Sequence, residues 1–150
     1  LAVGRSKVER ESLSERIELV QGDAESAAYG REAFDAATVA FGVRNFEHLE
    51  LGLQEMYRVL KTGGKVIILE FSMPEHFPMK QLYRFYFCHI LPTIGGWISG
   101  NKGAYTYLPE SVMKFPQGET FLQIMRDCGF QHPVRRKLSF GIASLYVGEK

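Results

Sequence analysis

The chain has 150 residues, enough for one domain with a sizeable core at 45% hydrophobic content, and its net charge of +1 comes without a long run of either sign. That balance gives little support to nucleic-acid binding, and the single basic cluster, Arg135-Arg136-Lys137, is expected on a solvated strand edge. Cys88 and Cys128 are too few for a zinc cluster or a disulfide framework, which points to a reducing, cytoplasmic setting.

In chain order, "LAVGRSKVERESLSERIELV" lacks the charged-then-apolar order of a signal peptide. It opens inside an expected polar helix (Leu1 to Arg16), so a longer parent protein is expected. Ile17 to Val20 is predicted as a short strand ended by the turn residues of "QGDAES". Phe34 to Phe41, "FDAATVAF", is a second predicted strand, apolar enough to be covered on both faces. Asn45 is a candidate cap for the next helix, whose Leu49, Leu53, Met56 and Leu60 share one apolar face. Arg58 and Lys61 suit its last turn, and Gly63-Gly64 is expected to end it.

Lys65 to Phe71, "KVIILEF", is a third apolar strand, so strands alternate with helices as in a doubly wound parallel sheet. Met73 to Pro116 breaks that rhythm with aromatic, glycine and proline residues and reads as a helical insertion or lid. Its most apolar part, Leu82 to Ile98, is interrupted by Arg84, His89, Pro92 and Gly95-Gly96, which suits a buried or interfacial element better than a membrane span. "QGETFLQIMRDCGF" predicts a helix burying Phe121, Ile124, Met125 and Cys128 and capped by Gly129. Two strands joined near Gly141 close the chain as a hairpin.

Open α/β sheets bind ligands at the carboxyl ends of their strands. Three such ends are legible here: Gly22 to Ala24, Ala40 to Asn45, and Glu70 to Pro74. Asp23 suits an acceptor for an amino group such as that of adenine, or equally a turn-stabilising carboxylate. Glu70 suits a satisfied structural carboxylate better than a catalyst. His48, His76, His89 and His132 are too dispersed to ligate a metal, and "KTGG" is a helix terminator rather than a nucleotide fingerprint.

"AFGVRNF" (Ala40 to Phe46) followed by "RVLKTGGKVIILEFS" (Arg58 to Ser72) closely resembles the ubiquinone/menaquinone-biosynthesis C-methyltransferases. So do "GDAE" (Gly22 to Glu25), "Y-x-YLPES" (Tyr105 to Ser111) and "FP-x-x-ETF" (Phe115 to Phe121), so the resemblance spans nearly the whole chain. Thr62 departs from it, standing where that family usually has proline.

The resemblance implies a Rossmann-like class I methyltransferase fold and methyl transfer from S-adenosyl-L-methionine to a ring carbon of a polyprenylated quinol. It places Asp23 and Ala24 at the adenine end of the cofactor and the main chain of Ala40 near the methionine portion. It also implies that the family's first two strands, which carry the glycine-rich cofactor loop and the ribose-binding acid, would lie before Leu1. In the family's sheet order (three, two, one, four, five, seven, six) the Ile17 strand would then lose its neighbour. The Phe34 strand would become an edge, and the chain is expected to re-pair its strands or exchange them with a second copy.

Arg44 is the expected catalytic residue, a charge that never titrates and that could hold a quinol oxygen as a phenolate; anchoring of its loop through carbonyls is the other reading. Asn45, Tyr86, Trp97, Tyr105 and Tyr107 are expected to bind the flat ring and isoprenoid tail, or else to pack the lid. A bilayer-borne substrate further implies a loose contact with the membrane surface. A related methyltransferase acting on a sterol or phospholipid, and a non-catalytic quinone- or lipid-binding module, are the rival functions.

Overall fold

The computed structural model describes residues 1–90 and 102–150, with the side chains of Cys88 and of residues 102–106 outside the description. Its elements are α1 (Ala2–Arg10), β1 (Phe34–Ala40), a 3₁₀ turn (Val43–Asn45), α2 (Leu49–Val59) and β2 (Leu60–Phe71). They continue with α3 (Met79–Phe85), a π-helical turn (Tyr86–Ile90), α4 (Lys102–Lys114), α5 (Glu119–Asp127), β3 (Gln131–Leu138) and β4 (Ala143–Glu149). The four strands form one mixed sheet in the order β1-β2-β4-β3, with β1 and β2 parallel and both β4 pairings antiparallel.

This order matches the expected family strands four, five, seven and six, and β1 is the open edge that the resemblance implied. The expected burial of that strand on both faces does not hold. Ala37 and Val39 pack against the core, while Phe34, Ala36, Thr38 and Ala40 stay exposed. The Ile17–Val20 stretch is not a strand, and its one backbone bond, from Ile17 N to Leu13 O, is local. An isolated strand gains no ladder to offset its ordering entropy. Among the described residues, therefore, this stretch does not re-pair with another strand.

The apolar face anticipated for α2 is buried, with Leu53 and Leu60 fully covered and Met56 nearly so. The helix ends earlier than Gly63-Gly64, because Leu60 already takes an extended backbone (φ −74°, ψ 141°) and starts β2. Its carbonyls are capped from the far end of the chain, where Lys150 Nζ donates to Leu60 O at 2.7 Å. The two glycines instead lie inside β2 beside the register shift against β1. A Cβ on Gly64 would sit 2.8 Å from Lys61 O, so the close backbone approach requires glycine.

The main core lies between the sheet and helices α2 and α5, with Phe121, Met125, Val66, Ile68 and Tyr146 at its centre. Gly129, at φ 104°, lets the chain leave α5 as expected. The insertion adds a second cluster of Tyr83, Phe87 and Val112 against Phe71, Met73 and Leu108. The two ends of the insertion are tied together, and its start is pinned to the sheet. Met73 N donates to Gln117 Oε1 at 2.8 Å, and Glu75 accepts from Arg135 at 2.7 Å and from Lys137. Only part of the basic cluster is therefore solvated, since the Arg135 side chain is 11% exposed.

The Lys137 and Arg135 hydrogen bonds hold the Glu75 carboxyl down at about 2, from an ordinary 4.5. A depressed carboxyl stabilises the fold above its unfolded value, and that contribution is lost as pH falls from about 4.5 towards 2. Glu75→Gln should therefore lower the thermal midpoint at neutral pH, with the difference from the parent shrinking across that window. A difference that is constant with pH would show that the ion pairs contribute nothing.

Candidate active site

Parallel strands β1 and β2 end side by side, and the chain after β1 turns back over both ends. Phe41 makes the turn in the left-handed region (φ 56°), which costs a bulky residue energy. Two interactions hold it there: its N–H donates to Leu69 O at 2.8 Å, and its ring stacks on Phe71 at 4.4 Å. Its carbonyl accepts from the guanidinium of Arg44, in the following 3₁₀ turn.

The same Arg44 nitrogen donates to Glu70 Oε1 at 2.7 Å, and the Arg44 main-chain N–H donates to Glu70 Oε2 at 3.2 Å. Phe71 N–H adds a third donor to that carboxylate, at 3.0 Å. Glu70 is fully buried and the Arg44 side chain is 10% exposed, so this is an ion pair almost removed from water. Arg44 Nε is buried with no acceptor among the described residues. A buried N–H left unpaired costs about 1–3 kcal/mol, so this atom is a local cost of the arrangement.

Arg44 lines a cavity of about 240 Å³ between the 3₁₀ turn, the start of α2 and helix α4. Apolar walls come from Val43, Phe46, Leu49 and Phe115, and polar groups from Tyr107, Glu110 and Lys114. Asn45 does not cap α2, which starts at Leu49 behind His48. Its side-chain oxygen instead accepts from Tyr107 Oη at 3.0 Å, tying helix α4 to the Arg44 turn.

Tyr86 is exposed in the π-helical turn and does not line this cavity. Trp97 and the side chain of Tyr105 lie outside the described residues. Tyr83 is a poor proton acceptor, because burial pushes its phenol up to about 12.

The segment with Asp23 and Ala24 is carried to the same end of the sheet by contacts with α2. Glu25 accepts from His48 N at 2.9 Å and meets His48 Nδ1 at 3.0 Å, and Glu55 accepts from Ala27 N at 2.9 Å. Arg58, paired with Glu55, donates to the carbonyls of Ala27 and Tyr29. Asp23 uses one carboxylate oxygen to accept from Glu25 N at 2.9 Å, and the other has no partner among the described residues. It thus forms the turn and keeps an acceptor free. Ala24 and Ala40 are exposed, and neither carries a bulky side chain that would obstruct a nucleoside or an amino-acid tail.

Reading along the chain had missed Glu70 as the partner of Arg44, because the two are separated by 26 residues and meet only once the strands align. The available signal was a single carboxylate at the end of the otherwise apolar run "KVIILEF". Lys114 and Glu110 carry no such signal, because aromatic residues dominate the sequence around helix α4. Removing one partner of a buried pair leaves the other charge uncompensated, at a cost of about 3–5 kcal/mol. Glu70→Ala should accordingly lower unfolding free energy by about that amount in urea titrations. A loss below about 1 kcal/mol would place the pair in the range of exposed ones.

The ubiE/COQ5 methyltransferase family matches residues 1–150. Demethylmenaquinone methyltransferase of Bacteroides fragilis is 48% identical over 148 residues, 99% of this chain and 60% of that protein. Ubiquinone/menaquinone biosynthesis C-methyltransferase UbiE of Geobacter sulfurreducens is 45% identical over 150 residues, all of this chain and 58% of that protein. The chain thus spans about 60% of the length of these curated relatives. Among solved structures, PigF with SAH aligns at a TM-score of 0.67 and 21% identity over 99% of this chain and 40% of its own. The [4+2]-cyclase SpnF aligns at 0.67 and 17% identity, over 99% and 62%. At these identities the structures establish the Rossmann-like methyltransferase fold alone, and a cyclase among them shows why fold does not settle activity. Matched along its whole length, the chain belongs to the ubiE/COQ5 methyltransferase family.

Proposed function

We propose that the protein takes part in S-adenosyl-L-methionine-dependent C-methylation of a polyprenylated quinol, with Arg44 as the catalytic residue. The observation that carries this reading is the buried Arg44, which opens on a half-apolar cavity at the strand ends of a chain matched throughout by this family. The residues present fit the adenine end of the cofactor through the free oxygen of Asp23 and the open surface at Ala24, and its methionine end at Ala40. The bound cofactor would supply a methyl group on a sulfonium.

The protein's own part is to make a ring carbon nucleophilic and to hold it in place. A quinol hydroxyl has a pKa of about 10, like that of tyrosine, and its ring carbon attacks readily once a solvent water has taken the proton. Arg44 faces the cavity and Glu70 stands behind it, so a substrate oxygen would meet the positive end of an oriented pair. With the oxygen roughly 4 Å from the guanidinium and about 8 Å from the carboxylate, an effective dielectric near 20 leaves about 2 kcal/mol of net stabilisation, half that of an unpaired charge. Tyr107, which donates to Asn45, lines the cavity beside Arg44, and the apolar walls suit the ring face.

The complete gene product should transfer labelled methyl from the cofactor to demethylmenaquinol or to the benzoquinol precursor. Transfer only to a sterol or phospholipid, or binding without turnover, would favour the rival readings. Arg44→Ala should lower kcat by about 100-fold or more while cofactor affinity changes by less than about threefold; the reverse pattern would make Arg44 a loop anchor.

Among the described residues no helix is long and apolar enough to cross a membrane. Around α3, however, Phe77 (81%), Leu82 (60%) and Phe85 (58%) are exposed beside Lys80 and Arg84, a composition suited to a loose bilayer contact. The double variant Phe77→Ser, Phe85→Ser should reduce co-flotation with anionic phospholipid vesicles several-fold. Equal flotation of parent and variant would remove that contact.

A further inference from the structure

We propose that Glu70 is a positioning residue for this reaction, whose negative charge sets the direction in which the Arg44 guanidinium faces the cavity; the role rests on the function assigned above. Glu70 does not line the cavity, and with three donors converging on its two oxygens it is unsuited to take a proton from substrate. What it does touch is Arg44, at both main chain and side chain. An arginine at a strand end ordinarily extends its long stem until the head meets water. Here Glu70 and the Phe41 carbonyl hold the same guanidinium nitrogen, and the Phe71 ring lies beneath the head at 5.5 Å. That arrangement fixes the plane of the guanidinium and leaves its Nε–H unspent.

A competitor for the cation stands across the cavity. Glu110 lines the same space and makes no ion pair among the described residues. Without the Glu70 charge, the guanidinium is free to turn towards Glu110 and occupy the volume meant for the ring. Neutralising Glu70 therefore displaces the donor, although it removes a charge that opposes phenolate formation. Displacement dominates, because a shift of about 1 Å at a reacting group can cost about 100-fold in rate.

The test compares the complete gene product with its Glu70→Gln variant, which keeps the side chain's shape and loses its charge. Nitrogen NMR of the Arg44 Nε–H, assigned by its loss in Arg44→Lys, should show restricted guanidinium rotation in the parent and faster rotation in the variant. Methyl transfer should fall about 10- to 100-fold in kcat, with cofactor affinity within about twofold. Arg44→Lys should also cost much less in the variant than in the parent, since one residue acts through the other. A folded variant with kcat within twofold of the parent, or with unchanged Arg44 rotation, overturns the proposal. Should the amide variant fail to fold, Glu70→Asp keeps the charge and withdraws it by one methylene. Freed rotation with a lower kcat then supports the proposal, and no change in either overturns it. If the parent methylates neither quinol class, the assigned function fails while the NMR comparison still decides whether Glu70 holds Arg44.

Discussion

The ion pair between Arg44 and Glu70 joins the ends of the two parallel strands, and the local structure is organised to permit it. Burying two charges is expensive unless their remaining hydrogen bonds are also met. Glu70 meets that condition with main-chain donors from Arg44 and Phe71, and Arg44 meets part of it with the Phe41 carbonyl. The left-handed backbone of Phe41 belongs to the same arrangement, since it turns that carbonyl back on Arg44. The 3₁₀ turn, the start of α2 and the Tyr107 contact to the lid then follow from where Arg44 is held. An apolar pair of the same volume would give comparable stability at lower desolvation cost, so stability alone is a weak reason to keep a charge here.

Much of the fold was legible in the sequence because apolar runs and glycine or proline breaks report burial and turns directly. Both parallel strands, α2, α5 and the closing hairpin lie close to where periodicity placed them, and β1 is the open edge that the resemblance implied. The errors share one cause: each depended on a partner distant in sequence. Ile17 to Val20 has strand composition but no neighbour to pair with, so it stays irregular. Gly63-Gly64 resembles a helix terminator, yet the α2 carbonyls find Lys150, and Gly64 serves a close backbone approach to Lys61 and Asp35. Asn45 has the side chain of a cap, but Tyr107 reaches its oxygen first.

The site was legible to the same degree. Its location at the strand ends follows from topology, and Arg44 stands out as a permanent charge in an apolar setting. What the sequence alone could not show is that this charge is matched. Glu70 has the look of an isolated structural carboxylate in the sequence, and in the fold it is structural through Arg44, one of the residues that line the cavity. Asp23 shows the opposite compromise, with one oxygen spent on its own turn and the other available. The functional and structural readings of that residue were never exclusive.

Pairing changes what Arg44 can do. An unpaired guanidinium would pull strongly on any anion in the cavity, including the carboxylate of Glu110 on the lid. The matched pair has no net charge, so its field falls off faster with distance and acts only on a group held close to the guanidinium face. That makes it selective for position rather than for charge. Under the proposed function, a neutral quinol would enter without competing against free anions, and the pair would favour the oxygen only as the proton leaves and charge develops beside it. Stabilisation confined to that moment lowers the barrier without tightening the ground state. On this view Glu70 halves the pull of Arg44 on the product side of ionisation and removes most of its affinity for everything else.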